Sequence, residues 1–190
     1  MLILASTSKY RRAQLEQLGL SFSAEAPGVD EDAVKAEGLG CAALAERLAA
    51  MKAEAVFSRH PEAVVLGGDQ VLDFDGEALG KPGSVEGAVA QLMAMQGRTH
   101  RLLTAVCLRH PEGRLAHLDV TNITFRPLDE AAIRRYVALD DPIDCAGSCK
   151  IEQGGIALIE RIETEDPSAV TGLPLIAVVR MLAGLGISVP

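Results

Sequence analysis

Tryptophan is absent from this chain of 190 residues, and aromatic rings are few: two tyrosines and four phenylalanines. With 48% of residues hydrophobic, the core must be built mainly from Leu, Val, Ile and Ala. Long apolar runs are missing as well. The most apolar stretch, residues 173–179, contains Pro174 and is followed by Arg180. It falls far short of the ~20 residues a membrane span requires. The opening Met1-Leu2-Ile3-Leu4-Ala5 has no basic residues before it and is too short for a signal-peptide core, so a soluble, cytoplasmic protein is expected. Positive charge is in the minority, with 18 Lys and Arg against 26 Asp and Glu and a net charge of −8. Such a balance repels nucleic-acid backbones and anionic lipid, so neither is expected as a partner. A small polyanion stays open, because a few focused cations or a metal can hold one locally. The four cysteines, Cys41, Cys107, Cys145 and Cys149, form no C-x-x-C pair and have no His at zinc-finger spacing. Cys145 and Cys149 leave a redox pair open beside the reading of buried, reduced thiols.

What is present alternates between strand and helix. Leu2 to Ala5 reads as a short apolar strand, followed by a helix from Lys9 to Leu18 that Gly19 ends. Leu20, Phe22, Ala24 and Ala26 have the two-residue period of a half-buried strand. Cys41 to Phe57 carries Leu44, Ala45, Leu48, Ala49 and Val56 at helical spacing. Val64-Val65-Leu66 predicts a buried strand ending at Gly67-Gly68-Asp69, and Val71 to Leu79 a hairpin turning at Asp75-Gly76. Ser84 N-caps a helix to Met95, with Gly97 at its end. Thr99 to Leu108 and Leu115 to Phe125 predict paired strands, Asp129 to Leu139 a helix, Ile156 to Ile162 a strand, and Pro174 to Leu185 a closing helix. Early strand–helix alternation with hairpins in the middle argues for an α/β fold with a mixed sheet. No repeat, low-complexity tract or linker divides the chain, so residues 1–190 are expected to form one domain.

Four segments could carry chemistry. Ser6-Thr7-Ser8-Lys9-Tyr10-Arg11-Arg12 stands at a strand-to-helix junction, where hydroxyls, free N–H groups and two guanidinium groups would suit a phosphate. It lacks the glycine spacing of a Walker loop, and an ordinary N-cap with a solvated basic turn is the plain alternative. Gly68-Asp69-Gln70 would present a carboxylate at a strand terminus, as a base, a metal ligand or simply a turn former. Asp30-Glu31-Asp32 offers hard oxygens suited to Mg²⁺ or Mn²⁺, or forms a solvated acidic loop. In Cys145 to Gly155, small residues surround Lys150 and Glu152, which face either a ligand or water. Lys52 and Lys81 are surface charges or, beside a phosphate site, ligands. The four histidines form no constellation with a serine or cysteine, which speaks against triad chemistry.

Taken in order, these segments resemble the Maf family of nucleoside triphosphate pyrophosphatases. The matching blocks are Leu4-Ala5-Ser6-Thr7-Ser8 with Arg11-Arg12, Val29-Asp30-Glu31, Arg47 to Lys52-Ala53, Gly68-Asp69-Gln70-Val71, Gly80-Lys81-Pro82, Cys145-Ala146-Gly147-Ser148 to Glu152, and Gly172-Leu173-Pro174-Leu175. They cover essentially the whole chain. The resemblance implies a two-lobed, Maf/ITPase-like α/β fold around a mixed, twisted sheet with a central cleft. It also implies hydrolysis between the α and β phosphates, a divalent cation (Mg²⁺ or Mn²⁺), a housecleaning role in the nucleotide pool, and often a homodimer. By the same likeness Asp69 is the proton acceptor, with Glu31 on the metal side beside it. Ser6, Arg11, Arg12, Lys52, Lys81 and Lys150 fall on phosphate and cleft positions.

Three further positions, Tyr10, Gln70 and Glu152, match those that set substrate choice. One branch of the family, acting on dTTP and UTP, has Thr after the central Asp; Gln70 here resembles the branch acting on 7-methyl-GTP. Tyr10 departs from that branch, which frequently has Trp, and a tyrosine ring is a weaker partner for a cation. The N7-methylated guanine ring is itself cationic, and a Glu152 carboxylate could accept hydrogen bonds from its N1–H and amino edge. Hydrolysis of other modified or canonical nucleotides, dTTP and UTP included, is the related alternative. A nucleotide-sensing regulator of septum formation is the non-enzymatic one.

Overall fold

A computed structural model describes residues 1–189. The chain is α/β, with a mixed sheet of seven strands flanked by helices and strand order β2-β1-β3-β5-β6-β7, β4 pairing with β3. The elements in chain order are β1 (Leu2–Ala5), α1 (Lys9–Glu16), β2 (Ser23–Ala24), α2 (Glu31–Lys35), α3 (Cys41–Phe57), β3 (Val64–Phe74), β4 (Glu77–Leu79), α4 (Val85–Met95), β5 (Thr99–His110), β6 (Gly113–Phe125), α5 (Glu130–Asp140), β7 (Ile159–Glu163) and α6 (Leu175–Gly184). Short 3₁₀ turns occupy Pro142–Asp144, Ala146–Ser148, Gly154–Leu158 and Pro167–Thr171. Among the described residues no helix is long and apolar enough to cross a membrane.

Two compact units share this chain. The first comprises Met1–Gln70, Leu103–Asp119 and the residues from Glu165 onward; the second comprises Val71–Leu102 and Val120–Thr164. In the first unit β1 runs parallel to both β2 and β3, with Leu2 opposite Val64 and Ala5 opposite Gly67. All four residues of β1 are buried, as a parallel strand covered on both faces requires. Its core joins Leu2 and Leu4 of β1, Leu15 of α1, Leu66 of β3, Val106 and Leu108 of β5, and Val178 and Leu182 of α6. In the second unit α4 packs on α5, where Arg134 grips the Glu86 carboxylate through two bonds of 2.9 and 3.0 Å. There His100 meets Phe125 edge-on, with ring centroids 4.7 Å apart.

Three local expectations are corrected. Gly67-Gly68-Asp69 does not end a strand: β3 continues through it to Phe74, because these residues are buried and the strand is flanked throughout. The strand expected over Leu20 to Ala26 shrinks to Ser23–Ala24, which pairs only with Ile3 and Leu4 of β1. Residues 156–158 lie in a 3₁₀ turn, so β7 begins at Ile159, where pairing with β6 starts.

Candidate active site

Helix α3 rests directly on β3 at Gly67. A Cβ there would lie 2.4 Å from the Ala49 carbonyl oxygen and 2.6 Å from the Ala53 nitrogen, so no larger residue permits this approach. Side chains two apart on a strand share a face. Asp69 therefore points to the same side as position 67, toward the helix, where Lys52 stands in the turn that Gly67 touches. The Lys52 ammonium lies 2.6 Å from Asp69 Oδ1 and 2.6 Å from Glu31 Oε1. Lys52 and Asp69 are both buried, and Glu31 is part-exposed.

Glu31 arrives through a capping signal that the sequence carries. The Asp30 side chain accepts from the Ala33 amide at 3.0 Å and starts α2, leaving Glu31 and Asp32 in its first turn, where carboxylates favour the helix dipole. The acidic stretch, for which a solvated loop is one of two readings, is thus a helix start. Asp32 turns to Lys35, with an Oδ1–Nζ distance of 2.9 Å, while Glu31 turns to Lys52.

Arg11 adds a second cation. Its Nε donates to the Gly172 carbonyl at 3.1 Å. Burial pulls its pKa below the usual arginine value, and Asp69 and Glu31 pull it back up, so the guanidinium stands within the field of both carboxylates. Asp69 is held above the ordinary carboxylate range: burial raises its pKa more than Lys52 and Arg11 lower it. Burial acts in the same sense on Glu31, but the Lys52 hydrogen bond and charge, with Lys35 and Arg11, win and leave it below the usual value. Two carboxylates of unequal basicity thus share one ammonium. Ser6, buried at the end of β1, accepts from the Ser8 amide at 3.1 Å, and Ser8 caps α1.

Other predicted site residues stand elsewhere. Arg12 is exposed and paired with Glu16 one turn on, at 3.0 Å. Tyr10 is half-buried, with the Lys9 ammonium 5.0 Å from its ring centroid. Gln70 points to the face of β3 opposite Asp69, where its amide nitrogen donates to Thr104 Oγ1 and to the Ala169 carbonyl, both at 2.9 Å. Lys81, Lys150 and Glu152 belong to the second unit. Lys81 and Glu152 are exposed. Lys150 donates to the carbonyls of Asp140 and Asp141 at 3.0 and 2.9 Å, satisfying the C-terminal end of α5. Cys145 and Cys149 are not joined in a disulfide. Burial pushes Cys145 up to about 11 and Cys149 up to about 12, so thiolate is scarce at both near neutrality.

Sequence reasoning passed over the residues that brace Arg11. Gln14, buried on α1, donates to the carbonyls of Ser168 and Leu173 at 2.7 and 3.2 Å. Asp166 accepts from the amides of Ser168 and Ile176 at 3.0 and 2.8 Å, and Ser168 Oγ accepts from the Leu175 amide at 2.7 Å. One carboxylate and one hydroxyl so satisfy both a 3₁₀ turn and the start of α6, whose cap, Pro174, makes no side-chain bond. The signal was available: Asp-Pro-Ser ahead of an apolar helical run is a capping pattern.

The donor set can be tested against a metal. Among the described residues no group of three or more His, Cys, Asp or Glu is placed to hold one. Glu31 and Asp69 nonetheless turn carboxylate oxygens to one cation, the Lys52 ammonium, and such hard oxygens are the donors a Mg²⁺- or Mn²⁺-like ion takes.

A family model for Maf-like proteins matches residues 1–185. The chain is 52% identical over 190 residues to a 7-methyl-GTP pyrophosphatase of Xanthomonas campestris pv. campestris (strain 8004), covering 100% of this chain and 98% of that one. It is 48% identical over 181 residues to a 7-methyl-GTP pyrophosphatase of Bdellovibrio bacteriovorus, covering 95% of each. Identity to a 7-methyl-GTP pyrophosphatase of Cupriavidus pinatubonensis is 45% over 188 residues, covering 97% of this chain and 93% of the relative.

Proposed function

The chain belongs to the Maf family, and we propose that it is a nucleoside triphosphate pyrophosphatase that hydrolyses 7-methyl-GTP to the monophosphate and diphosphate. The observation that carries the reaction is the buried Asp69 carboxylate, raised in basicity by burial and set beside Lys52, Arg11 and Glu31. The substrate rests on full-length similarity to relatives that bear this activity in their names.

Water attacks the α-phosphorus, the bond to the bridging oxygen of the β-phosphate breaks, and diphosphate leaves. Asp69 takes the proton from the attacking water, a role that typically contributes ~10²–10⁴-fold. A carboxylate more basic than usual holds that proton better. Lys52 aims Asp69 and, with Arg11, offsets charge on the phosphates; transfer at phosphorus is mostly positioning and neutralisation. Ser6 and the first turn of α1 add donors at the strand-to-helix junction. The formal charges of Glu31, Asp69, Lys52 and Arg11 cancel, so the cluster alone cannot neutralise a triphosphate. Glu31 and Asp69 would hold a divalent cation, and when bound it supplies that charge and polarises the phosphoryl oxygens.

Tyr10 supports the choice of base. A cation already lies over its ring, in the form of Lys9, and a 7-methylguanine ring is cationic. Glu152 is exposed and offers a carboxylate suited to the N1–H and amino donors of guanine.

The test is release of diphosphate from 7-methyl-GTP, GTP, dTTP and UTP with Mg²⁺ or Mn²⁺, by the wild type and Asp69→Asn. Preference for 7-methyl-GTP, with turnover lost in the variant, is expected. Preference for dTTP or UTP would remove the substrate reading and keep the chemistry. A variant that folds and turns over like wild type would remove Asp69 as base.

A further inference from the structure

Asp69 and Gln70 are sequence neighbours on opposite faces of β3. Asp69 meets α3, whereas Gln70 meets the turn Pro167–Thr171. Both hydrogens of the Gln70 amide are spent there. One goes to Thr104 Oγ1 at 2.9 Å and the other to the Ala169 carbonyl at 2.9 Å. Thr104, wholly buried on β5, in turn donates its hydroxyl to the same carbonyl at 3.1 Å. A third donor, the Gly172 amide, reaches the Ala169 carbonyl at 3.0 Å. The carbonyl of that same Gly172 accepts from Arg11 Nε at 3.1 Å. A series of hydrogen bonds, joined across the Gly172 backbone, therefore runs from Gln70 and Thr104 through Ala169 to Arg11, whose guanidinium feels the charges of Asp69 and Glu31.

Gly172 can serve this way because of its backbone. Its φ of +120° lies in the region that disfavours any side chain, and a Cβ there would stand 3.4 Å from Arg11 Cγ and Nε. The Gly172 amide and carbonyl belong to successive peptide groups, so the bond to Ala169 holds the peptide just before the one that carries the Arg11 acceptor.

We infer that Gln70 acts on the reaction through Arg11, as a positioning residue, and that Thr104 is the second half of the same device. This rests on the pyrophosphatase reading. It goes beyond that reading by giving Gln70 a route to the phosphates other than contact with the base, and by bringing in a residue that no solvent-borne substrate can touch. A side chain as short as threonine at position 70 could not reach Ala169 in the same way, so the turn and the Arg11 acceptor would settle differently. Substitution at this position thereby changes how the phosphates are held.

The experiment compares Gln70→Met, Thr104→Val, Thr104→Ser and the double variant Gln70→Met/Thr104→Val. Diphosphate release from 7-methyl-GTP and from GTP is measured, along with hydrogen exchange of the Arg11 Nε–H, assigned by its loss in Arg11→Lys. Each of Gln70→Met and Thr104→Val is expected to lower kcat/KM roughly ten- to a hundredfold on both substrates, the scale of a small misplacement of a charge-bearing group. The double variant should be no more than about threefold worse than the weaker single one, because both act on one element. Thr104→Ser retains the hydroxyl and should stay near wild type, and Arg11 Nε–H exchange should quicken in both damaging variants. Wild-type kcat/KM in Thr104→Val, or losses that multiply in the double variant, would overturn the inference. So would a Gln70→Met variant that loses activity while Arg11 exchange is unchanged. The exchange measurement needs no turnover, so it separates failure of this device from failure of the pyrophosphatase reading, which would show as a wild type inactive on every triphosphate.

Discussion

Replacing Gly67 by alanine adds one methyl group at the place where α3 touches β3. The new Cβ would stand 2.4 Å from the Ala49 oxygen and 2.6 Å from the Ala53 nitrogen, against 3.4–4 Å for ordinary contact. Both neighbours are helix backbone, which has no rotamer by which to yield, so α3 must retreat by about 1 Å or β3 must bend. Overpacking of this kind costs about 1–3 kcal/mol. At ~2–4 °C per kcal/mol for a chain of this size, the melting temperature should fall by about 2–12 °C. Lys52 moves with the helix, its bonds of 2.6 Å to Asp69 and Glu31 are stretched, and turnover should fall by up to ~10²-fold. Gly68→Ala is the internal control. Its Cβ would meet the Leu173 Cδ2 methyl at 3.1 Å, the far end of a flexible side chain, and should cost less on both readouts. Thermal melting and diphosphate release on the two variants decide the matter. A Gly67→Ala protein with wild-type melting and wild-type turnover would refute the account, as would one indistinguishable from Gly68→Ala.

Three other outcomes follow from the same geometry. In Lys52→Met the larger of the two cationic influences on Asp69 disappears while burial stays, so its pKa rises further and the acid limb of kcat/KM must move to higher pH; a limb that stays put or moves down would contradict the assignment of Asp69. Glu152→Gln should reduce the preference for 7-methyl-GTP over dTTP more than it reduces hydrolysis in general, and an unchanged substrate ratio would exclude Glu152 from base recognition. His100 is buried, its Nδ1 has no hydrogen-bond partner among the described residues, and burial lowers its pKa from 6.5 to about 4. The unfolded chain therefore binds this proton more readily. Stability present above pH 6.5 declines as pH falls toward 4, by about 3 kcal/mol in all, and His100→Leu should flatten melting temperature against pH in that window.

The elements whose signals are local were legible. Ser8, Ser84 and Asp129 each accept the amide hydrogen bond that a helix cap supplies, and α3 occupies the span its apolar spacing marks, Cys41–Phe57. Errors arose where a local signal competed with burial. Gly67-Gly68-Asp69 looks like a strand end because glycine and aspartate favour turns. Here the glycines serve close packing instead: Gly67 under α3, and Gly68 under Leu173. Nothing in a window of a few residues distinguishes a glycine that turns the chain from one that admits a helix backbone. The distinction depends on residues 49 and 53, which belong to another element.

The same limit shaped the reading of the site. Residue type identified Asp69, Glu31, Lys52 and Arg11 individually, and the family resemblance gathered them, but neither says which atom faces which. Arg11 and Arg12 are adjacent and alike in sequence. Helical geometry separates them by about 100°, and the surroundings do the rest. Arg12 finds Glu16 at i+4 on the exposed face, while Arg11 lies toward Gly172, 161 positions away. An exposed i,i+4 pair contributes about 0.3–0.5 kcal/mol and is indifferent to the chemistry. The part-buried Arg11 guanidinium, by contrast, depends on its acceptor and on the two carboxylates for compensation, and so reports on the integrity of the whole cluster. That is why substitution of Arg11 and of Arg12, which a sequence alone would treat as equivalent, should have unequal consequences: loss of the former disturbs Asp69, Glu31 and Gly172 together, and loss of the latter releases only Glu16.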